Sequence, residues 1–379
     1  MRNYLFRAFA LLISGLICAA ALSAEIPERE KIRAYILIEP ETGTIIDEYN
    51  GDVKFGVGYL VKLMSILIIA EDINRGKYTL NDELIASESV RGTKGAVIWL
   101  EPGDISTVEE LLKAVIIGNA NDALTVLIER SAENIDAFIM NMNAKAFDLG
   151  IRNTYFTDPY GYSTDNTLAT AHDIALICSE LFKFDFLKPI FSTWREFIRS
   201  GKTELVNENS LSRTFSEHIG FKACHSDKSL FCIAEGAEKS DGRRFVSVVL
   251  GADNEDIAAQ TAKKLIKGGF KDYTITSTMF PEEMLMPVKV KGGRENAVEI
   301  CVKESTSIVV PRDCHEVYSK VIFPNYLTAP VRSEQPVGIV AFYNEKRLVF
   351  ETEIITKTEV KCLDFPYIIK HLLSKLIEK

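Results

Sequence analysis

Residues 215–251 decide the fold class, and they read FSEHIGFKACHSDKSLFCIAEGAEKSDGRRFVSVVLG. Three runs rich in apolar and β-branched residues, Phe215–Lys222, Leu230–Glu235 and Arg244–Gly251, are separated by polar residues. The second separation is the turn sequence Lys239-Ser-Asp-Gly. Such runs with turn residues between them are typical of successive antiparallel strands. The segment therefore predicts a three-stranded meander.

Upstream of these strands the sequence predicts a hairpin and a helical block. Tyr35–Glu48 holds two β-branched runs punctuated by Pro40 and Gly43, which is the pattern of a tight turn between strands. Helical spacing is found over Leu60–Ile73, Val108–Ile117, Ala120–Ser131, Ile135–Phe147, Ala169–Phe184 and Asp256–Lys267. Thr167 or Thr170 is the expected cap of the fifth helix. Strands at both ends with helices between them predict an α+β fold rather than alternating βαβ units.

A small all-β domain is predicted over residues 284–361. Short β-branched runs such as Ser307-Ile-Val-Val and Gly338-Ile-Val-Ala-Phe alternate there with turn residues. A final amphipathic helix is predicted over Phe365–Lys379, with apolar residues on one side and lysines on the other. This helix can pack on the β domain or lie in a membrane interface, and its terminal position and basic charge favour the membrane.

Composition and charge exclude several classes of protein. The chain has 379 residues, of which 47% are hydrophobic and 26% charged, so it is a folded protein rather than a disordered one. Its 44 basic and 53 acidic residues give a net charge of −9, which argues against a nucleic-acid partner. Seven cysteines are too few for a disulfide-built scaffold. The histidines show no metal-ligand spacing, and the sequence predicts neither a metal nor a cofactor.

Residues 1–24 predict a secretory signal peptide. Arg2 and Arg7 precede an apolar run over Ala8–Leu22, and small residues follow that run. The run is shorter than the about 20 apolar residues of a membrane span. An uncleaved anchor and lipidation at Cys18 stay open as less favoured alternatives. Removal of the signal changes the balance to 42 − 53 = −11, so we expect an exported, acidic protein.

A series of short motifs runs in order through the mature chain. They are Gly58-Tyr-Leu-Val-Lys-Leu-Met, Glu101-Pro-Gly, Gly118-Asn-Ala-Asn-Asp-Ala, Asp158-Pro-Tyr-Gly, Thr170-Ala-His-Asp, Gly220-Phe-Lys-Ala-Cys-His and Ala329-Pro-Val-Arg. Together they resemble the D-alanyl-D-alanine carboxypeptidases, low-molecular-weight penicillin-binding proteins of bacterial cell-wall metabolism. The resemblance implies a penicillin-binding/β-lactamase-like transpeptidase domain over residues 25–272. It also implies a location at the extracytoplasmic face of a bacterial membrane or in the cell wall.

The resemblance implies an active site built from three motifs, and the first of them lacks its nucleophile. Where the family has Ser-x-x-Lys, this chain has Tyr59 and Lys62. Loss of the nucleophile from a covalent hydrolase costs on the order of 10⁶ in rate. Tyr59 is a poor substitute because a phenol has a pKa near 10 and its ring fills space that the acyl group needs. Ser65 is expected to point away from the cleft mouth, and Ser226 has no base at a suitable spacing.

The other two motifs are also altered. Where the family has Ser-x-Asn, this chain has Asn119 and Asn121. Where the family has Lys-Thr-Gly, whose lysine and threonine bind the substrate's terminal carboxylate, it has Lys222, Ala223 and Cys224. The surviving lysines and asparagines either line a groove that accepts a stem-peptide carboxylate or satisfy inherited neighbours in an inert fold, and both interpretations stay open.

Two functions from different classes follow from these departures. The first is a pseudoenzyme of the cell wall that binds peptidoglycan stem peptides or a partner protein. The second is an active carboxypeptidase with a displaced nucleophile. A β-lactamase is disfavoured because it needs neither the β domain nor the tail. Cys224 and Cys232 can face each other across a hairpin; a disulfide there is possible, although two separate buried cysteines are the favoured interpretation.

Overall fold

The structure is a computed structural model that describes residues 29–162, 167–226, 230–278, 280–303, 307–312, 317–344 and 347–369. The predicted signal peptide over residues 1–24 lies outside the described residues. The chain divides into two compact units, of which the first ends at Lys271 and the second begins at Asp272. Each unit has its own hydrophobic core. Within the described residues, no helix is both long and apolar enough to cross a bilayer.

An antiparallel sheet forms the base of the first unit. The strands of this unit are β1 (Ala34–Glu39), β2 (Thr44–Tyr49), β3 (Phe55–Gly56), β4 (Glu83–Ile85), β5 (Ile105–Thr107), β6 (Leu168–Ala169), β7 (Arg195–Ile198), β8 (Thr203–Val206), β9 (His218–Ser226), β10 (Leu230–Glu238) and β11 (Arg244–Ala252). Five of them form the main sheet in the order β2-β1-β11-β10-β9. The pairing of β1 with β11, with Tyr35 opposite Val249, joins the N-terminal hairpin to the later meander. The short strands pair as β3–β6, β4–β5 and β7–β8.

The helices of this part of the chain are α1 (Lys62–Asn74), α2 (Val108–Ile116), α3 (Asn121–Ser131), α4 (Ile135–Asp148), α5 (Ala171–Leu181), α6 (Lys188–Phe191), α7 (Leu211–Thr214) and α8 (Glu255–Asp272). Helices α1 to α7 lie in the chain between β2 and β9, and α8 follows β11. The N-cap of α5 is Thr170, whose hydroxyl accepts the Asp173 amide at 3.0 Å. The prediction of an α+β fold is confirmed.

Helix α1 runs through the middle of the first unit. Ten of its 13 residues are buried, which is why its sequence is apolar on every side. It packs on α3, α4 and α5, and α5 in turn packs on β1 and β11. A 3₁₀ turn over Gly58–Val61 precedes α1 and contacts β9, the edge strand of the sheet. The start of α1, the start of α3 and strand β9 therefore meet at one place.

Several predicted boundaries differ from the structure, among them Ala169–Phe184, observed as Ala171–Leu181, and Asp256–Lys267, observed as Glu255–Asp272. Two further differences have a clear local reason. The helix predicted from Leu60 begins at Lys62, because residues 58–61 form the tighter 3₁₀ turn. The strand predicted from Phe215 begins at His218, because Phe215 ends α7 and its amide donates to the Leu211 carbonyl.

The second unit is built from strands, as predicted. They are β12 (Tyr273–Ser277), β13 (Val288–Lys291), β14 (Ala297–Val298), β15 (Ile300–Val302), β16 (Ser307–Pro311), β17 (Val317–Ile322), β18 (Tyr326–Thr328), β19 (Pro336–Asn344) and β20 (Arg347–Thr356). They form sheets in the orders β15-β20-β19-β17, β14-β13-β18 and β12-β16 around a core that includes Val340 and Ile354. Residues 365–369 are helical, and the rest of the predicted terminal helix lies outside the described residues.

Candidate active site

Tyr59 lies on the 3₁₀ turn that leads into α1, and a second loop presses against it. Gly161 of that loop has a φ of +79°. A Cβ at Gly161 would lie 2.2 Å from the Gly58 carbonyl oxygen and 3.1 Å from the Cα of Tyr59. Only glycine allows both this conformation and this approach. The loop is thereby held against the backbone of the Tyr59 turn.

Lys62 contacts the aromatic face of Tyr59. Its side chain is fully buried, and its Nζ donates to the Tyr160 carbonyl oxygen at 2.9 Å. The same Nζ lies 4.0 Å from the centroid of the Tyr59 ring, which is a cation–π contact. Burial, and then the nearby charge of Lys222, hold the pKa of Lys62 well below its usual value. The lysine therefore faces a ring at the position where the family resemblance implies a serine hydroxyl.

The Tyr59 side chain extends from Lys62 to the opposite wall of the cleft. A Cβ at Gly95, whose φ is +80°, would lie 3.7 Å from Oη of Tyr59 and 2.7 Å from Nδ2 of Asn121. The ring thus fills the space between Lys62 and the Gly95–Asn121 wall. Burial raises the pKa of Tyr59, and the charge of Glu208 raises it further. The phenol stays protonated at neutral pH and is a weak nucleophile.

Asn119 and Asn121 lie at the start of α3 and face inward. Asn119 has a φ of +57°, a conformation that asparagine tolerates better than most residues. Asn121 holds the neighbouring loop through two 2.7 Å hydrogen bonds, from its side chain to the Lys94 carbonyl and from its backbone amide to the Ala96 carbonyl. The side-chain oxygens of both asparagines are buried and have no hydrogen-bond partner among the described residues. These two oxygens are unused acceptors.

Lys222 projects from β9 into the helical block and caps the end of α2. Its Nζ donates to the carbonyl oxygens of Val115 and Ile116, both at 3.0 Å. Cations are favourable at a helix C-terminus, yet burial lowers the pKa of Lys222 to about 8. An ammonium group has three donors, so at most one remains for a ligand.

Cys224 fills the space beside the Tyr59 turn. Successive side chains of a strand alternate between its faces, so Cys224 and Lys222 share one face of β9 while Ala223 takes the other. The Cys224 thiol donates to the Val57 carbonyl oxygen at 3.2 Å. The glycine that the resemblance implies at this position would leave this gap open. A side chain here ties the edge strand to the turn that carries Tyr59.

The two serines considered from the sequence lie on α1 and at the end of β9. Ser65 is fully buried, and its hydroxyl donates to the Pro159 carbonyl oxygen at 2.8 Å. It therefore points away from the cleft mouth, as the helical spacing predicts. Ser226 is the last residue of β9. In the part of the chain that the structure describes, no group of three His, Cys, Asp or Glu residues is placed to hold a metal.

The structure adds participants that sequence reasoning missed. Glu208 is exposed, and its charge raises the pKa of Tyr59 and opposes the lowering at Lys62 and Lys222. It places a negative charge near a cleft that the sequence predicts to be cationic. The Tyr160 carbonyl is a second missed participant, and since it is a main-chain atom no residue type could signal it. Glu208 had a weak signal, as it stands in the polar run Asn207-Glu-Asn-Ser.

Comparisons with known proteins cover both units. A family model described as D-alanyl-D-alanine carboxypeptidase matches residues 21–254, and one described as the C-terminal domain of penicillin-binding protein 5 matches residues 276–362. The D-alanyl-D-alanine carboxypeptidase DacF of Bacillus subtilis is 26% identical over 347 residues, which are 90% of this chain and 89% of that protein. DacC of Escherichia coli, of the same description, is 27% identical over 363 residues, or 93% and 90% of the two chains.

Solved structures show the same fold. Penicillin-binding protein 5 from Haemophilus influenzae is similar with a TM-score of 0.80 at 23% identity, covering 87% of this chain and 98% of that one. Penicillin-binding protein 6B from Escherichia coli is similar with a TM-score of 0.71 at 19% identity, covering 85% and 94%. The architecture of a transpeptidase-like domain followed by an all-β domain is therefore shared with these proteins.

Proposed function

Because the chain belongs to the D-alanyl-D-alanine carboxypeptidase family, we propose that it is an exported cell-wall protein that binds peptidoglycan stem peptides, or a partner protein, without cleaving them. One observation carries this proposal: the Tyr59 ring lies 4.0 Å from Lys62 Nζ and fills the cleft as far as Gly95. The curated relatives named above are carboxypeptidases, which supports peptidoglycan peptides as the class of ligand.

The cleft has no serine at the family's nucleophile position, and the nearby Cys224 thiol donates to the Val57 carbonyl rather than to a base. A covalent hydrolase needs a hydroxyl or thiol within hydrogen-bond reach of a base. Lys62 is suited to be a base because its pKa is low, but it contacts the carbon face of a protonated phenol. Ser65 is committed to the Pro159 carbonyl. Loss of the nucleophile alone lowers the rate on the order of 10⁶.

The cleft can still bind a peptide without cleaving it. The side-chain oxygens of Asn119 and Asn121 are acceptors without a partner among the described residues, and they would match the N–H groups of a peptide once a ligand displaces the side chains that bury them. Lys222 offers at most one donor, and Glu208 places a negative charge nearby. The cleft therefore suits amide and amino groups better than a terminal carboxylate.

The proposal predicts that the protein does not form a covalent adduct with penicillin. Purified mature protein incubated with a fluorescent penicillin and then denatured should carry no label, whereas an active serine carboxypeptidase run in parallel should be labelled. The measurement is gel fluorescence followed by peptide mapping. A denaturation-resistant label at Tyr59 or Ser65 would establish the alternative, an active carboxypeptidase with a displaced nucleophile.

Charge near the cleft should control which peptides bind. Replacement of exposed Glu208 by Gln removes a negative charge, so we expect a peptide ending in a free carboxylate to bind about 2- to 10-fold more tightly. The same peptide with an amidated C-terminus should show little change. Calorimetric titration measures both affinities, and Glu133→Gln, also exposed, is the control. Equal effects on the two peptides would argue against a ligand whose C-terminal carboxylate lies near Glu208.

A further inference from the structure

Two cysteines stand opposite each other on the strands that flank the cleft. Cys224 of β9 and Cys232 of β10 are directly paired in antiparallel register, and both are buried. Directly opposed residues have Cα atoms about 4.5–5.5 Å apart and point to the same face. Disulfides require Cα separations of about 4.4–6.8 Å. The register therefore meets the backbone requirement for a disulfide, although both residues are thiols in the structure.

The two thiols belong to one line of hydrogen bonds that ends at the cleft. The Gly251 amide donates to Sγ of Cys232 at 3.4 Å, and the two thiols are hydrogen-bonded to each other. Cys224 then donates to the Val57 carbonyl oxygen at 3.2 Å. That carbonyl also accepts the Leu60 amide, which closes the turn carrying the tyrosine. A change at the sulfur pair is thus transmitted directly to this turn.

Cys224 is the better nucleophile of the two. Its hydrogen bond with Cys232 and those with the backbone of Leu60 and Tyr59 lower the pKa of the Cys224 thiol in spite of burial. The same pair interaction and burial hold the pKa of Cys232 well above its usual value. Thiolate is the reactive species in disulfide exchange. Cys224, which is on the edge strand β9, is taken as the attacking residue and Cys232 as the resolving one.

A cavity borders the two strands at the position of the pair. It has a volume of about 430 Å³ and is lined by both cysteines together with Trp194, His225 and Phe231. This volume is sufficient for the disulfide end of a small thiol compound. The pair is therefore buried in the fold, in the wall of a cavity that also reaches Ala258 and Ala259 of α8.

We propose that Cys224 and Cys232 form a reversible disulfide, with a small-molecule disulfide as oxidant, and that this bond opens the turn carrying Tyr59. The Cys224 thiolate attacks one sulfur of the oxidant and forms a mixed disulfide, while the other sulfur leaves as a thiolate and takes a proton. Cys232 loses its proton and attacks Sγ of Cys224, which releases the second thiol. Two protein thiols are oxidised by two electrons, and one disulfide is reduced to two thiols.

The bond changes the contacts of the turn. A disulfide has an S–S length of about 2.05 Å, much shorter than a thiol–thiol hydrogen bond, so Sγ of Cys224 moves toward Cys232. It also loses its hydrogen and can no longer donate to the Val57 carbonyl. The backbone of residues 57–61 then loses this hydrogen bond to β9, which loosens the turn and raises its exposure.

The first test measures the bond itself in the full mature chain with Cys301, Cys314 and Cys362 replaced by Ser. Titration with oxidised glutathione, alkylation and mass spectrometry should show that Cys224 and Cys232 lose reactivity together, with the loss of two hydrogens. A dithiol should restore both. Cys178→Ser is the matched control and should leave the titration unchanged. Independent oxidation of the two residues, or a disulfide to Cys178, would overturn the proposal.

The second test measures the turn. Hydrogen exchange of the peptide covering residues 57–61 should be at least about threefold faster in the oxidised protein than in the reduced one, since an opened turn exposes its amides. Cys224→Ala should exchange like the oxidised form. Unchanged exchange after complete oxidation would also overturn the proposal. Neither readout depends on peptide binding, so a failure here is distinct from a failure of the proposed function.

Discussion

Lys62 and Lys222 are buried amino groups, and main-chain carbonyls accept hydrogen bonds from both. Lys62 donates to Tyr160, and Lys222 donates to Val115 and Ile116 at the end of α2. Burial favours the neutral form of each, so the pKa of both lysines is lowered. The two residues remain because removing either would leave polar main-chain atoms buried without a partner.

The lowered pKa of Lys222 makes stability depend on pH in a defined direction. In the folded protein its pKa is about 8, against about 10.4 in the unfolded chain. Between these values the unfolded state binds more protons, so the free energy of unfolding rises with pH. Relative to Lys222→Met, the wild-type protein should gain about 2–3 kcal/mol between pH 7 and 10.5.

Urea unfolding at several pH values measures this difference. Lys202→Met is the control, because Lys202 is exposed and its replacement should produce a pH-independent offset. Parallel pH profiles for the wild type and Lys222→Met would contradict a buried, partly neutralised lysine at this position.

At the scale of elements, the cleft depends on a loop pressed against a helix start. The Asp158 carboxylate accepts the amides of Tyr160 and Gly161 at 2.8 and 2.6 Å, which fixes the loop. Gly161 then approaches the backbone of Gly58 too closely for any side chain. The position of the Tyr160 carbonyl, and hence of Lys62, follows from this contact.

Gly161→Ala should therefore destabilise the protein more than the same change at another glycine of similar conformation. Gly43 has a φ of +68°, and a Cβ there would have no atom within 4 Å. Gly161 has a φ of +79°, and its Cβ would lie 2.2 Å from a carbonyl oxygen. Both alanine variants incur a left-handed strain of about 1–2 kcal/mol. Gly161→Ala should lose at least about 1 kcal/mol more, from overpacking.

The comparison requires only the unfolding free energies of the two variants and the parent. Equal losses would mean that the loop moves away from the Tyr59 turn at no cost, and that the close contact does not position Lys62.

The helices and strands could be predicted from the sequence, whereas the hydrogen-bond partners of the site residues could not, and the reason is physical. Runs such as Arg244–Gly251 and Ala120–Ser131 carry their periodicity in their own residues, so strand and helix could be assigned locally. The motif positions Tyr59, Lys62 and Lys222 could likewise be found by resemblance. The hydrogen-bond acceptors of the two lysines could not be found in this way, because the carbonyls of residues 115, 116 and 160 are main-chain atoms supplied by distant segments.

At the scale of the whole molecule, two units with separate cores are joined to a basic terminal segment. The net charge of the chain is −9, so a segment with Lys370, Lys375 and Lys379 differs in sign from the rest. Anionic lipid attracts each lysine near its surface by about 1 kcal/mol, and the apolar side of the predicted helix adds to this. We propose that this segment holds the protein on a membrane surface.

Deletion of residues 365–379 should therefore release the mature protein from membranes. Removing three lysines and an apolar stripe should lower partitioning onto anionic vesicles by on the order of 10². Co-sedimentation with vesicles measures the change, and neutral vesicles serve as the control because they lack the attraction. Undiminished sedimentation of the deletion variant would show that the membrane contact lies elsewhere.

The stacking of Tyr59 on Lys62 also bears on how the chain evolves. Tyrosine and serine codons can differ by a single base, so the genetic distance back to a nucleophile is the shortest possible. The structural distance is much longer, because Cys224 is bound to the Val57 carbonyl and Lys222 to the end of α2. A revertant at position 59 alone would gain a hydroxyl beside a gap that no substrate is positioned to fill. A Tyr59→Ser change alone would therefore restore a hydroxyl beside Lys62 but leave Ala223 and Cys224 of the third motif as they are.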